Sequence, residues 1–375
     1  MSALRRLRVA LAAGLLALLS GTPSSAEAGC GAMLGRTWRS YRAHFVQSDG
    51  RVVDHKGGGI STSEGQTYAL VRAVWSDDRA SFDTILRWTR DNLQGGDPAA
   101  LPAWRWGQRP DGGWGVLDPQ PAADADQLLA WSLLLAAERW AEPAYAQQAR
   151  AVLAELWARE VREVAGALVL LPGPWAEGGA PLRLNPSYAL PFAWRSFATA
   201  DPAHPWTRLL DDTYALLGRA GLADQLAPDW LYIDPATGAR VPAPDPNHEV
   251  FGFEASRLAW TLAAELAWFD EPRARTLLQP IARLGDGFTK SSTLFAVLDP
   301  SGTPLVTYGH LSMSGAVLPA WALVRPAQAS ALAAQLRAAR GGPGWGEPDD
   351  YYAQNWAWFG LALRCGHAAP PEGRP

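Results

Sequence analysis

Apolar residues recur along this chain at the three- and four-residue spacing of helices, and that periodicity constrains the fold more than any other feature. Pro, Gly and Asp interrupt it at the ends of each block. The blocks predict helices at approximately 34–47, 63–76, 78–93, 124–140, 142–160, 188–200, 205–220, 252–268, 270–286, 312–322, 326–339 and 350–364. Most follow one another as consecutive pairs across short connections, and strand signals are scarce. No Pro/Ser-rich linker divides the chain, so a single all-α domain over residues 29–375 is expected. Paired helices without a fixed-period sequence repeat point to an α/α-barrel rather than a solenoid. Longer connections at 94–123, 166–187, 221–251 and 287–311 hold Trp104, Trp106, Trp114, Trp175 and Trp230 among many Gly, Pro and Asp. Long loops in a compact domain are often functional.

The beginning of the chain reads as an address rather than as fold. Arg5, Arg6 and Arg8 precede a small and apolar run from Val9 to Leu19, and Ala26-Glu27-Ala28 fits the A-x-A cleavage pattern. Residues 1–28 are therefore expected to be a signal peptide, too short in its apolar run for a membrane span of roughly 20 residues. A lipid anchor at Cys30 is the alternative, although Glu27 stands where such signals carry an aliphatic residue. The expected product is periplasmic or secreted, with no membrane span after cleavage. In that oxidising setting Cys30 and Cys365 can pair and tie the two ends together; two unpaired thiols are the other reading.

Charge excludes one class of partner. The formal net charge is −4, falling to about −7 without the three leader arginines, and Lys56 and Lys290 are the only lysines. Nucleic acid, which demands clustered Lys and Arg, is not expected. The composition instead offers 19 Trp against 10 Phe. Most belong in the core, yet an indole face also suits stacking on a sugar ring.

Three acidic positions open predicted helices beside aromatic and polar residues. Glu64 lies in Ser61-Thr62-Ser63-Glu64-Gly65-Gln66-Thr67-Tyr68, where Ser61 and Glu64 are spaced as a capping box. Asp124, in Asp124-Ala125-Asp126, has the position of an N-cap. Glu254 precedes Arg257 at the spacing of an ordinary i,i+3 ion pair. In a barrel of alternating inner and outer helices, the inner helix starts gather at one end, so the three acids are expected to converge on one cleft. Paired carboxyls flanked by indole faces are what glycoside hydrolysis requires: a protonated acid for the leaving oxygen and a carboxylate for water or the anomeric carbon. Glu64 poses a difficulty as the acid, because a helix N-terminus favours the carboxylate; desolvation and a neighbouring Asp124 would reverse that shift. Other classes lack their signatures. There is no G-x-S-x-G elbow, zinc motif, P-loop or dinucleotide fingerprint, and His55, His248 and His310 have no ligand spacing.

At these residues the chain resembles glycoside hydrolase family 8, and within it the endoglucanases encoded beside bacterial cellulose synthase. Thr62 to Tyr68 matches the segment carrying that family's general acid. Leu101-Pro102-Ala103-Trp104-Arg105-Trp106-Gly107 is similar to its glucan-stacking loop, and Asp124-Ala125-Asp126 with Ala130-Trp131-Ser132-Leu133-Leu134 to the element whose first Asp contacts the sugar. Asn185-Pro186-Ser187-Tyr188, Pro228-Asp229-Trp230 and Tyr351-Tyr352 through Phe359-Gly360 stand in the family's order. The resemblance implies an (α/α)6 barrel, inversion, no cofactor, no metal and a β-1,4-glucan substrate. It further implies Glu64 as acid, Glu254 as base, Asp124 beside them and Arg257 as partner of the base. Trp104, Trp114, Asn185, Tyr188 and Trp230 are the expected glucan-binding residues, and a cellulose synthase complex the expected partner. One departure is visible: Phe253-Glu254-Ala255-Ser256-Arg257 stands where these enzymes show Tyr-Asp-Ala-x-Arg. The longer side chain displaces the carboxylate by about 1 Å, a shift able to cost about a hundredfold in rate. Asp229 or Glu249 is then an alternative acid. Two further readings stay open, a weakened glucan-binding subunit and the same barrel acting on xylan or chitosan.

Overall fold

The computed structural model describes residues 25–341 and 344–371, so most of the expected signal peptide lies outside the described residues. Six helices form an inner ring, and all but the half-buried α6 bury almost their whole circumference: α2 (Ser63–Trp75), α4 (Ala123–Arg139), α6 (Pro191–Ala200), α8 (Ser256–Phe269), α11 (Leu311–Val324) and α13 (Tyr351–Arg364). Each packs on the next, and α13 returns to α2, which closes the ring. The outer helices bury one stripe. In α3 (Arg79–Asn92) that stripe is Phe82, Ile85, Leu86, Trp88 and Thr89, the spacing of an amphipathic surface helix.

Pairing is sequential. Helix α3 lies on α2, α5 (Pro143–Glu160) on α4, α7 (Trp206–Arg219) on α6, α9 (Pro272–Leu277) on α8 and α12 (Pro326–Ala338) on α11. Helix α1 (Ser25–Phe45), first among the described residues, packs on α13, the last of them. This is the expected (α/α)6 barrel. At the α11–α13 crossing Gly315 and Gly360 face each other's backbones, and a Cβ on either would overlap main-chain atoms of the partner helix. Cys30 of α1 is bonded to Cys365, the residue closing α13.

The structure differs from the periodicity at three places. The expected helix at 34–47 begins earlier, at Ser25. The expected helix at 270–286 is two, α9 and α10 (Gln279–Ser291), because Pro280 has no N–H to continue the first. The long connections hold short antiparallel strands. Strands β1 (Ser61–Thr62), β2 (Arg105–Gln108) and β3 (Trp114–Asp118) make one sheet; β4 (Val161–Val164) and β5 (Ala167–Leu170) a hairpin; β6 (Leu182–Leu184), β7 (Leu231–Ile233) and β8 (Arg240–Val241) a third group. Segments of two to five residues are too short for alternation to show.

Candidate active site

The starts of α2, α4, α8 and α13 meet at one end of the barrel, and each of the four delivers a functional group. The β1–β2 pairing sets Thr62 opposite Arg105, and the Ser63 amide donates to the Trp104 carbonyl at 3.0 Å. Glu64 therefore enters α2 beside Trp104. The capping of α2 is not the one expected: Thr62 Oγ1 accepts the Gly65 amide at 3.0 Å. Ser61 is taken instead by Arg51, whose Nε donates to its hydroxyl at 2.8 Å, while that hydroxyl donates to the Val52 carbonyl. Asp124 is likewise not an N-cap. Ala122 holds that position and makes no side-chain cap bond; Asp124 Oδ1 accepts the Ala125 amide at 2.9 Å, which leaves Oδ2 for another partner.

That partner is Arg257, in the first turn of α8 and 3 % exposed. Its Nη1 donates to Glu64 Oε2 and to Asp124 Oδ2, both at 2.9 Å, and its Nη2 donates to Glu254 Oε2. Sequence spacing offered Arg257 only as the partner of Glu254; the fold makes one guanidinium the junction of three carboxyls. Asn185, capping the 3-10 turn Pro186–Tyr188, donates its Nδ2 to Glu254 Oε2 at 2.9 Å. Tyr188 lies with its ring 5.1 Å from the guanidinium carbon. Tyr351, in the first turn of α13, donates to Glu64 Oε1 at 2.7 Å. Its contact with the acid was not legible as such, although the rule that found the acids, a polar residue opening a helix, applies to it equally.

Below these groups the barrel is aromatic, with Tyr68, Trp131, Trp260, Trp356 and Phe359 lining one cavity under Asp124 and Arg257. That surrounding decides the electrostatics. Burial pushes the Glu64 carboxyl up to about 7 against the pull of Arg257, with Asp124 adding to the rise. The same burial raises Asp124 to about 6, again against Arg257 and helped by Glu254. Burial works against the Arg257 charge, and Glu254 and Asp124 among its neighbours outweigh it, so the guanidinium stays protonated. The helix N-terminus at Glu64, which favours the carboxylate, is outweighed by desolvation.

The aromatic residues divide. Trp131, Trp194, Trp206, Trp321, Trp345 and Trp358 are fully buried core. Trp114 is 51 % exposed and stacks on Trp106 at 5.3 Å, with the Arg51 guanidinium against both rings. Trp230 contacts Tyr188 at 6.2 Å, and Arg183 lies 4.5 Å from its ring and 4.4 Å from that of Trp175. One face of Trp230 is thus engaged by a cation. The histidines are partnered: His310 caps α11 and contacts Asp350 at 3.2 Å, and His248 meets the Tyr232 hydroxyl at 2.8 Å.

Known proteins resemble this chain in sequence and fold. The family model for Glycosyl hydrolases family 8 matches residues 6–335. An endoglucanase of Xanthomonas axonopodis pv. citri is 34 % identical over 344 residues, 89 % of this chain and 86 % of that protein. An endoglucanase of Pseudomonas fluorescens is 38 % identical over 200 residues, 52 % of this chain; there the match spans half of the relative's length, 50 %. Among solved structures, the endo-1,4-D-glucanase of Vibrio fischeri ES114 superposes with a TM-score of 0.76 at 29 % identity, covering 87 % of this chain and 93 % of that one. The match to the family model over most of the chain, with a relative aligned along nearly its full length, places this chain in glycoside hydrolase family 8.

Proposed function

We propose that this chain is an inverting endo-β-1,4-glucanase that acts outside the cytoplasm, after loss of residues 1–28, on cellulose chains as a synthase complex extrudes them. The observation that carries the reading is the Arg257 junction, which gathers three carboxyls while burial keeps one of them, Glu64, protonated near neutrality. No helix among the described residues is long and apolar enough to cross a membrane.

In this reading Glu64 is the acid. Its Oε2 is occupied by the guanidinium, so the proton resides on Oε1, which also accepts from the Tyr351 hydroxyl, and passes to the glycosidic oxygen as the bond breaks. Glu254 is the base. Arg257 and Asn185 hold its Oε2, which leaves Oε1 to take a proton from the water attacking the anomeric carbon from the opposite face. Glu254 is one methylene longer than the aspartate that the resemblance leads to, and the bonds from Arg257 and Asn185 support it in the role of base. Asp124, accepting from Arg257, meets the sugar at the point of cleavage in this reading. Trp104, Trp114, Tyr188 and Trp230 supply apolar faces for β-linked glucose.

Carboxymethyl-cellulose tests the reading. Wild type is expected to release reducing ends and lower viscosity early, and the first-formed product seen by NMR is the α-anomer. Release of the β-anomer first would refute inversion. Faster cleavage of xylan or chitosan would replace the substrate, and binding of cellopentaose without cleavage would make the chain a glucan-binding subunit.

A further inference from the structure

Glu254 sits in a turn rather than in a helix, and something must hold that turn. The backbone from Gly252 to Ala255 wraps around a second carboxylate: Asp229 Oδ1 accepts the Gly252 amide at 2.9 Å and the Ala255 amide at 2.8 Å. Glu254 lies between those two amides in sequence. The Asp229 backbone is itself fixed, its amide donating to the Val250 carbonyl at 2.7 Å. Gly252 allows the approach, since a Cβ there would stand 2.6 Å from Asp229 Oδ2. The residue between is tied from the other side, where the Tyr352 hydroxyl donates to the Phe253 carbonyl at 2.8 Å.

We propose that Asp229 is the positioning residue for Glu254, holding the 252–255 turn so that the Glu254 carboxylate meets Arg257 and Asn185. The inference rests on the glucanase reading only in giving Glu254 the role of base. The charged and titratable groups facing Asp229 are Glu254, Arg257 and Tyr352. Burial pushes the Asp229 carboxyl up to about 6, against the two amides, with Glu254 adding to the rise. Because both amides take Oδ1, the proton it acquires sits on Oδ2, and an asparagine reproduces that form: an oxygen for the amides and N–H in place of O–H. An alanine removes the hook altogether.

Asp229→Asn and Asp229→Ala separate holding the turn from chemistry, with Gly252→Ala as a second way to unseat the hook. On carboxymethyl-cellulose, Asp229→Ala and Gly252→Ala are expected to lower kcat by about a hundredfold with KM little changed, the cost of a base displaced by about 1 Å. Asp229→Asn should keep most of kcat. Crystal structures of the variants give a readout independent of substrate: the 2.9 Å contact between Asn185 Nδ2 and Glu254 Oε2 is lost in Asp229→Ala and kept in Asp229→Asn. The proposal is overturned if Asp229→Asn is as inactive as Glu254→Gln, which would make Asp229 itself the base. It is equally overturned if Glu254 stays in place in Asp229→Ala. A wild type inert on glucan would sink the glucanase reading alone, since the crystallographic arm still decides whether Asp229 places Glu254.

Discussion

Glu64 illustrates how one side chain can serve two environments. Its position in the first turn of a helix draws it toward the carboxylate form, while the aromatic barrel beneath it and Asp124 beside it favour the acid. The acid form is present below about pH 7 and is lost as pH rises through that value, so activity should fall on the alkaline side with a midpoint near 7. Replacing Glu64 by Gln keeps the contacts with Arg257 and Tyr351 and removes the transferable proton. The expected result is a loss of kcat by about 10²–10⁴-fold, the usual contribution of general acid catalysis. The alkaline limb should vanish from the residual rate; its persistence in the variant would assign the proton to another group. At this scale the sequence picked out the acids that the fold brings together, for a partly wrong local reason. Ser61 and Glu64 have capping-box spacing, but Thr62 does the capping. Arg257 read as one half of a surface pair because i,i+3 spacing describes only its link to Glu254. Its links to Glu64 and Asp124 cross 193 and 133 residues and depend on ring closure, which no local pattern encodes.

Among the elements, helices were legible because each carries its own periodicity, and the inner ones could be told from the outer by how completely they are buried only once folded. The small sheets were not legible, since their strands are pinned by the helices they connect. One inter-element contact between α4 and α5 has chemical content. Asp126 in the first turn of α4 and Glu160 at the end of α5 are both fully buried, and none of their four carboxyl oxygens receives an N–H or O–H from the described residues. Burial and then the charge of Glu160 raise Asp126, so a proton shared between the two is the available partner. Burial drives both upward, Glu160 to about 8 despite its bond from Asp126, with Asp124 adding and Arg159 opposing. The folded chain therefore keeps protons that the unfolded chain releases above about pH 4. Stability from this pair is full below that value and declines as pH rises toward 8, by about 1.4 kcal/mol per pH unit for each proton held. Asp126→Asn supplies a permanent N–H to Glu160 and should flatten that decline. Denaturant unfolding from pH 5 to 8 measures both slopes. Other buried carboxyls such as Glu64 and Asp124 contribute equally to the two proteins, so parallel curves would show that the pair holds no proton.

For the molecule as a whole, the critical place is the seam where the ring closes. Each outer helix packs on a neighbour close in sequence, so most of the barrel is assembled from local hairpins. The exceptions are α1 on α13 and α13 on α2, which join the first described helices to the last. The active site straddles this seam, because Tyr351 of α13 reaches Glu64 of α2 across 287 residues. The Cys30–Cys365 bond links residues 335 apart on the same two sides. Closing so long a loop removes conformational freedom chiefly from the unfolded chain, and loss of a native bridge typically costs about 2–5 kcal/mol. Cys30→Ser with Cys365→Ser should lower stability by that order and should open the seam before the rest of the barrel. Two thermal readouts then diverge: near-ultraviolet signals of the Trp core persist to a temperature at which hydrolysis has already been lost. In wild type the two should fall together, and addition of a reductant should convert that behaviour into the variant's. If the variant loses core signal and hydrolysis at the wild-type temperature, ring packing alone holds the seam, and the bridge adds nothing to the alignment of Tyr351 with Glu64.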